Sequence, residues 1–161
     1  VAHERVLFEQ AMDAMEGNPL PSQSLLFPEV VELPIEDFST LLELLPYLEK
    51  IGFRMKEFGK NTVMIEGVPS ELGWGNEREV LTEIIDTYRN QQKAQPSFME
   101  AVAASFACKA SVKAGDVLTQ EEMQSLVDRL FATQHPYYCP HGRPIMVNLS
   151  LDELDRRFER T

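Results

Sequence analysis

Hydrophobic residues recur at helical spacing along most of this chain but alternate across one short segment near its middle, and this change of period restricts the fold more than any other feature. The helical spacing occupies residues 1–16, 35–50 and 77–91. Residues 53–58 and 62–66 instead alternate on either side of Gly59-Lys60-Asn61, which predicts a β-hairpin. A hairpin set between helices in this order predicts an α+β fold.

Capping residues predict three further helices. The pairs that match the capping pattern are Ser97 with Glu100, Thr119 with Glu122, and Ser150 with Glu153. The first of these helices extends to Ala110 and is rich in alanine, so we expect another element to pack closely against it. The second helix extends to about Ala132.

Prolines and turn residues mark the remaining segments. Four prolines lie in one stretch: Pro19, Pro21, Pro28 and Pro34. They predict a connector over residues 18–34, in which residues 27–33 form an edge strand, because Pro28 is tolerated only at an edge. Residues 68–70 are predicted to be a loop, and the alternation over residues 145–149 predicts a further strand.

Composition excludes several classes of protein. The chain has 161 residues, 43% of them hydrophobic, which fits one compact domain or two small subdomains and excludes disorder as the main state. No run of 18 apolar residues occurs, so the sequence predicts no membrane span. The 15 basic and 26 acidic residues give a net charge of −11, which predicts weak binding of this chain alone to DNA.

Two observations bear on the cellular compartment. Two cysteines cannot form a disulfide framework, which predicts a reduced, cytoplasmic protein. The chain begins with Val1 and shows no basic-then-apolar leader, which is typical of an excised fragment without a signal peptide.

The most unusual hexapeptide is Cys139-Pro140-His141-Gly142-Arg143-Pro144. Its Cys and His lie two residues apart in a loop shaped by two prolines and a glycine, and a thiolate with an imidazole favours zinc or a similar transition ion. Two ligands do not complete a site, so other ligands must come from elsewhere in the chain. The alternative is a rigid turn before a strand, with a buried Cys139 and a surface His141.

A second candidate segment has a polar residue, apolar residues and a closing proline. It comprises Gln23, Ser24, Leu25, Leu26, Phe27 and Pro28. An exposed peptide of this kind docks as an extended ligand into an apolar groove of a partner, with the glutamine supplying directional hydrogen bonds. The alternative is an ordinary edge strand whose apolar residues face the core.

Three further features have both functional and structural interpretations. Cys108 on the alanine-rich helix is either a ligand or a small core residue. Lys109 and Lys113 form a short basic stripe, or simply a solvated helix face. Glu4 in the first helix is a candidate oxygen ligand, although an exposed carboxylate needs no such role.

Taken together, these motifs resemble the C-terminal domain family of MutL-type DNA mismatch repair proteins. Residues 107–115 are similar to the family's Ala-Cys-Arg motif, and the hexapeptide at 139–144 and residues 149–154 follow in the same order. The nuclease-bearing members carry a signature of Asp-Gln-His-Ala, two residues, Glu, four residues, Glu. Val1 with Glu4 and Glu9 is similar to its tail, so on this resemblance Asp-Gln-His would lie just upstream of Val1 and outside this chain; His3 takes no role.

The resemblance implies roles for named residues. Glu4 and Glu9 would be the catalytic carboxylates. Zinc and/or manganese would be bound by Glu4, Cys139, His141 and Cys108. Lys109 and Arg143 are candidate phosphate-binding residues, although Arg143 could equally form a structural salt bridge. Residues 23–28 look like the family's sliding-clamp-binding motif, and ATP would bind only in the N-terminal domain of the full-length protein.

The resemblance also implies an architecture and a function. Residues 1–32 and 136–161 would form a dimerisation subdomain with the metal site, and residues 33–135 an external, regulatory subdomain. The full protein would be a homodimeric, metal-dependent endonuclease that nicks DNA in mismatch repair at the nucleoid. Its partners would be the sliding clamp, DNA and a mismatch-recognition protein, with no membrane. The alternative is a non-catalytic dimerisation and clamp-docking module with a structural or regulatory zinc.

Overall fold

The computed structural model describes residues 1–73, 75–91 and 98–160, which form six helices and one three-stranded sheet, an α+β fold. In chain order the elements are α1 Ala2–Glu16, β1 Ser22–Glu32, α2 Ile35–Lys50, β2 Arg54–Glu57, β3 Thr62–Pro69, α3 Glu77–Gln91, α4 Phe98–Ala110, α5 Gln120–Phe131 and α6 Leu151–Arg157. No helix among these residues is both long enough and apolar enough to cross a membrane.

The helices lie close to where the apolar spacing places them. Two of the three predicted caps are confirmed. The Thr119 hydroxyl accepts from the Glu122 backbone N–H, and the Glu122 carboxylate accepts from that of Thr119, so both halves of the capping box are present. Ser150 likewise accepts from the Glu153 N–H at the start of α6. The predicted cap at Ser97 lies outside the described residues.

The sheet is antiparallel, with strand order β1-β3-β2. The predicted hairpin is confirmed as β2 and β3, and the predicted edge strand is confirmed as part of β1. β1 begins earlier than predicted, and residues 68–69 belong to β3 rather than to a loop. The reason is tertiary: Ser22 and Gln23 pair with Pro69 and Val68, which extends both strands.

The predicted strand over residues 145–149 is wrong for the described chain, since residues 146–150 have no regular secondary structure. A strand needs a second backbone to satisfy its N–H and C=O groups. Only an isolated bridge between Tyr138 and Pro144 forms here, and Val147 and Leu149 stay exposed. The apolar alternation is present, but no described segment supplies a partner for it.

One hydrophobic core joins the sheet to α1, α2, α3 and α4. Ala103 and Ala107 of α4 are fully buried, and α4 packs along α1, as the alanine-rich sequence predicted. β1, which ends at the predicted subdomain boundary, is hydrogen-bonded to β3 across it. The division into two subdomains stays a prediction. For the site, the important result is that α1 is fixed along its length.

Gly52 closes α2 at a point where two proline-containing segments meet. Its φ is +104°, and a Cβ there would lie 3.0 Å from both the Pro21 carbonyl oxygen and the Pro69 Cα. Gly115 has a similar φ of +97° but has no atom within 4 Å of such a Cβ. The two positions therefore share backbone strain and differ in steric contact.

We expect Gly52→Ala to lower the free energy of unfolding by about 1–3 kcal/mol more than Gly115→Ala, because only the first adds overpacking to the strain of positive φ. Urea denaturation of both variants and the parent measures the difference. Equal losses would show that the approach of Pro21 and Pro69 does not constrain residue 52.

Candidate metal centre

Three side chains of the kinds that bind metals meet beside the first turn of α1. One ligand atom each from Glu4, Cys139 and His141 lies within 4.8 Å of the other two. The shortest contact joins Glu4 Oε1 and His141 Nδ1 at 2.6 Å. Cys139 is buried, at 2% exposure, whereas the His141 side chain is half exposed. The group therefore has a dry side and an open side.

Residues 139–144, here called the metal loop, form a tight turn. The Cys139 N–H donates to the Arg143 carbonyl, and the Gly142 N–H donates to the Cys139 carbonyl, each at 2.9 Å. Gly142 has a φ of +78°, which favours glycine at this position. The Ile145 N–H donates to the Tyr137 carbonyl at 2.8 Å and closes the base of the turn. The metal loop is thus a rigid turn, and a rigid turn can also carry metal ligands, so the two interpretations of this hexapeptide do not exclude each other.

The donor set fits a zinc-like ion. A carboxylate oxygen, an imidazole nitrogen and a thiolate sulfur are the three kinds of ligand that proteins use for zinc, and the sulfur disfavours hard cations. A zinc-like ion held by these three ligands alone would have a fourth position free for water or substrate, which is the arrangement of catalytic zinc sites. The choice between zinc and manganese stays a prediction.

Glu9 lies outside this three-residue group. Its carboxylate accepts from the backbone N–H groups of Gln134 at 2.7 Å and His135 at 3.2 Å. Arg5, which sequence reasoning did not single out, lies 3.6 Å from Glu9 and donates from Nε to the Tyr138 carbonyl at 2.6 Å. The signal that could have identified Arg5 is its spacing of four residues from Glu9.

Cys108 and Lys109 lie on α4 and do not join the group of three. Cys108 is partly buried, and its carbonyl accepts from Ser111. Lys109 Nζ lies 2.5 Å from a Glu83 carboxylate oxygen, and this hydrogen bond, with the charge of Glu83, raises the lysine pKa. Arg143 is exposed on the metal loop and forms no ion pair with a described residue. The Arg143 guanidinium is therefore more available for a further contact than the Lys109 ammonium, which is paired with Glu83.

The segment at residues 23–28 lies in β1, and its middle bulges away from the sheet. Ser24 pairs with Gly67 and Glu29 with Ile65, so four residues of β1 oppose a single residue of β3. Leu25 packs against the core, but Leu26 and Phe27 are 78% and 82% exposed. Gln23 donates to the Leu72 carbonyl at 3.0 Å. Residues 23–28 therefore belong to an edge strand and also present exposed apolar side chains, so both interpretations of this segment describe part of it.

His3, to which the sequence assigned no role, is held outside this group by a residue that follows α4. Its Nδ1 accepts from the Val112 N–H at 3.1 Å, at the edge of an open cavity of about 400 Å³. Burial lowers the pKa of His3 from 6.5, the charge of Arg129 adds to this effect, and that of Glu71 opposes it. This favours the neutral imidazole, the form whose Nδ1 can accept from the Val112 N–H.

We expect His3 to make folding less stable in weak acid. The unfolded chain takes up a proton near pH 6.5, but the folded chain resists it, so stability falls as the pH drops below that value. His3→Asn keeps an acceptor for Val112 without the titration. Urea denaturation between pH 8 and pH 5.5 should show a steeper loss in the parent than in the variant; parallel curves would contradict the prediction.

Comparison with known proteins gives the same family as the motifs. Residues 1–118 match the family described as the MutL C terminal dimerisation domain. The chain is 46% identical, over 161 residues and 99% of its length, to the DNA mismatch repair protein MutL of Chlorobium phaeobacteroides. It is 44% identical to the protein of that name from Chlorobium limicola and 43% identical to that from Chloroherpeton thalassium, over 162 residues and 100% of the chain in each case.

The similarity covers nearly the whole of this chain but only part of the length of each relative. The chain spans 26% of the two Chlorobium proteins and 25% of the Chloroherpeton protein. The family match covers most of the chain, and the identity to these relatives continues past the metal loop to the last helix. This chain therefore belongs to the MutL C-terminal dimerisation domain family.

Proposed function

We propose that this chain is the dimerisation domain of a DNA mismatch repair protein and carries a metal centre that nicks DNA. The observation that carries the proposal is the meeting of Glu4, Cys139 and His141 within 4.8 Å in a member of this family. The three residues come from opposite ends of the chain, so only the fold could assemble them. The nuclease assignment goes beyond the family membership and needs its own test.

Each residue of the site would have a separate role in phosphodiester cleavage. Glu4, Cys139 and His141 would hold a zinc-like ion, which supplies charge relief at the phosphate and a water made nucleophilic near neutral pH. Buried Cys139 would hold the ion on the dry side of the site, and half-exposed His141 would hold it on the side open to substrate. Arg143, exposed on the same loop, can hold a phosphate with two hydrogen bonds.

The net charge of the chain supports a nuclease that a partner protein has to bring to DNA. The net charge of −11 disfavours binding of this chain alone to the phosphate backbone. We assign recruitment to the sliding clamp, because Leu26 and Phe27 are presented on the bulge of β1 for docking into an apolar groove. A mismatch-recognition protein would act through the rest of the full-length protein.

Exposed apolar side chains near the end of the chain support a homodimer. They comprise Val147, Leu149, Leu151 and Phe158. Residues 146–150 have no regular secondary structure and no partner strand among the described residues, so a second copy could cover their apolar side chains and bind their backbone groups. This is the surface that we assign to the dimer.

We expect Cys139→Ser and His141→Ala to lower both bound zinc and nicking of supercoiled DNA by more than about tenfold in the full-length protein that carries this domain, because each removes a ligand. His135→Ala is the matched control, since it removes an exposed histidine outside the group of three. Zinc is measured by elemental analysis, nicking by gel electrophoresis, and dimer formation by sedimentation.

The outcomes separate the proposal from its alternative. A parent protein that binds zinc but nicks no DNA, and that loses dimer or stability when zinc is removed, would favour a structural zinc in a docking module. Zinc content equal in the parent and in both ligand variants would contradict the metal centre itself.

For the clamp segment we expect Leu26→Ala with Phe27→Ala to abolish clamp binding and leave the melting temperature unchanged, because both side chains are outside the core. Leu25→Ala is the informative comparison, since Leu25 packs on the core and its truncation should lower stability. Binding of purified clamp is measured by surface plasmon resonance. Full binding by the Leu26/Phe27 variant would place the contact elsewhere.

A further inference from the structure

Side chains of α1, rather than secondary structure, hold the chain where it enters the metal loop. Residues 134–137 belong to no helix or strand. Glu9 accepts from the N–H groups of Gln134 and His135, and Arg5 donates to the carbonyl of Tyr138. Three backbone groups within five residues are therefore fixed by two side chains of one helix.

Arg5 and Glu9 are suited to hold this position firmly. They lie one helical turn apart with Nη1 and Oε1 separated by 3.6 Å, and Arg5 is only 8% exposed. The Arg5 guanidinium also lies over the Phe8 ring, 5.5 Å from its centroid. Hydrogen bonds of ionised groups are stronger than neutral ones, and removing Glu9 would leave the charge of buried Arg5 uncompensated.

The same turn of α1 presents the metal-binding carboxylate. Glu4 directly precedes Arg5, and Tyr138, whose carbonyl Arg5 holds, directly precedes Cys139. Each contact that fixes residues 134–138 to α1 therefore also fixes the separation between Glu4 and the two ligands of the loop. Without them, the loop would have to be ordered at the moment of metal binding, at a cost in conformational entropy.

We propose that Arg5 and Glu9 position the metal loop against Glu4 before metal binds. This inference rests on the proposed metal centre and assigns both residues a positioning role, in place of the catalytic role that the family signature implies for Glu9. Neither residue belongs to the group of Glu4, Cys139 and His141. Their effect is on the affinity and geometry of the site.

The experiment compares Arg5→Met, Arg5→Lys and Glu9→Gln with a matched ion pair elsewhere. Arg78→Met and Glu29→Gln break an exposed pair at 3.3 Å that lies away from the metal loop. Three quantities are measured on the full-length protein that carries the domain. They are zinc affinity by chelator competition, the thiolate-to-metal absorption band with Co²⁺, and hydrogen exchange of the Gln134 and His135 amides without metal.

We expect Arg5→Met and Glu9→Gln to weaken zinc binding by about 10–100-fold and to diminish the cobalt band, with Arg5→Lys intermediate because it keeps one charged donor. Glu9→Gln should also speed exchange at Gln134 and His135 by about tenfold, since a charge-assisted acceptor is lost. The Arg78 and Glu29 variants should match the parent in all three measurements.

Two results would overturn the inference, and one would instead affect the metal centre. Faster amide exchange with unchanged zinc affinity and cobalt spectrum would show that the contacts only stabilise the fold. Unchanged amide exchange in Glu9→Gln would show that they do not hold the loop at all. A parent protein that binds neither zinc nor cobalt would contradict the proposed function, while the exchange measurement would still decide whether Arg5 and Glu9 order the loop.

Discussion

Under the proposed metal centre, the hydrogen bond from Arg5 to the Tyr138 carbonyl is the contact that holds the loop ligands beside α1. It joins the first helix to a segment more than 130 residues later, and Glu9 reinforces it at Gln134 and His135. α1 can serve as this anchor because α4, with its buried alanines, packs closely along it. Close helix packing thus fixes the carboxylate to which the metal loop is brought.

Ion pairing within the chain distinguishes Arg143 from other basic residues of this acidic domain. Lys109 is paired with Glu83, and Arg78 with Glu29, so much of the limited positive charge is neutralised locally. Arg143, exposed on the metal loop, is not paired within the described residues. Under the proposed function, recruitment by the clamp would supply the proximity that weak electrostatic attraction cannot.

The sequence predicted the local elements well because their signals are local. The capping box at Thr119 and the hairpin around Gly59-Lys60-Asn61 depend on residues within a few positions of one another, and both are confirmed. Errors arose where a partner backbone decides. Residues 145–149 alternate like a strand but have no neighbour in the described chain, and residues 68–69 became strand only because Ser22 and Gln23 lie beside them.

The same distinction holds for the candidate site. The sequence by itself determined the ligand types at Cys139 and His141, since thiolate and imidazole chemistry belongs to the residues, and its motifs indicated the family. The resemblance placed Glu4 among the ligands, and the tertiary structure brings it to within 4.8 Å of them. Only the tertiary structure decided that Glu9 binds the backbone of residues 134 and 135 and that Arg5 binds the carbonyl of Tyr138. The physical reason is that spacing along the chain specifies which residues share a helix face, whereas contacts between distant segments depend on how buried surfaces pack.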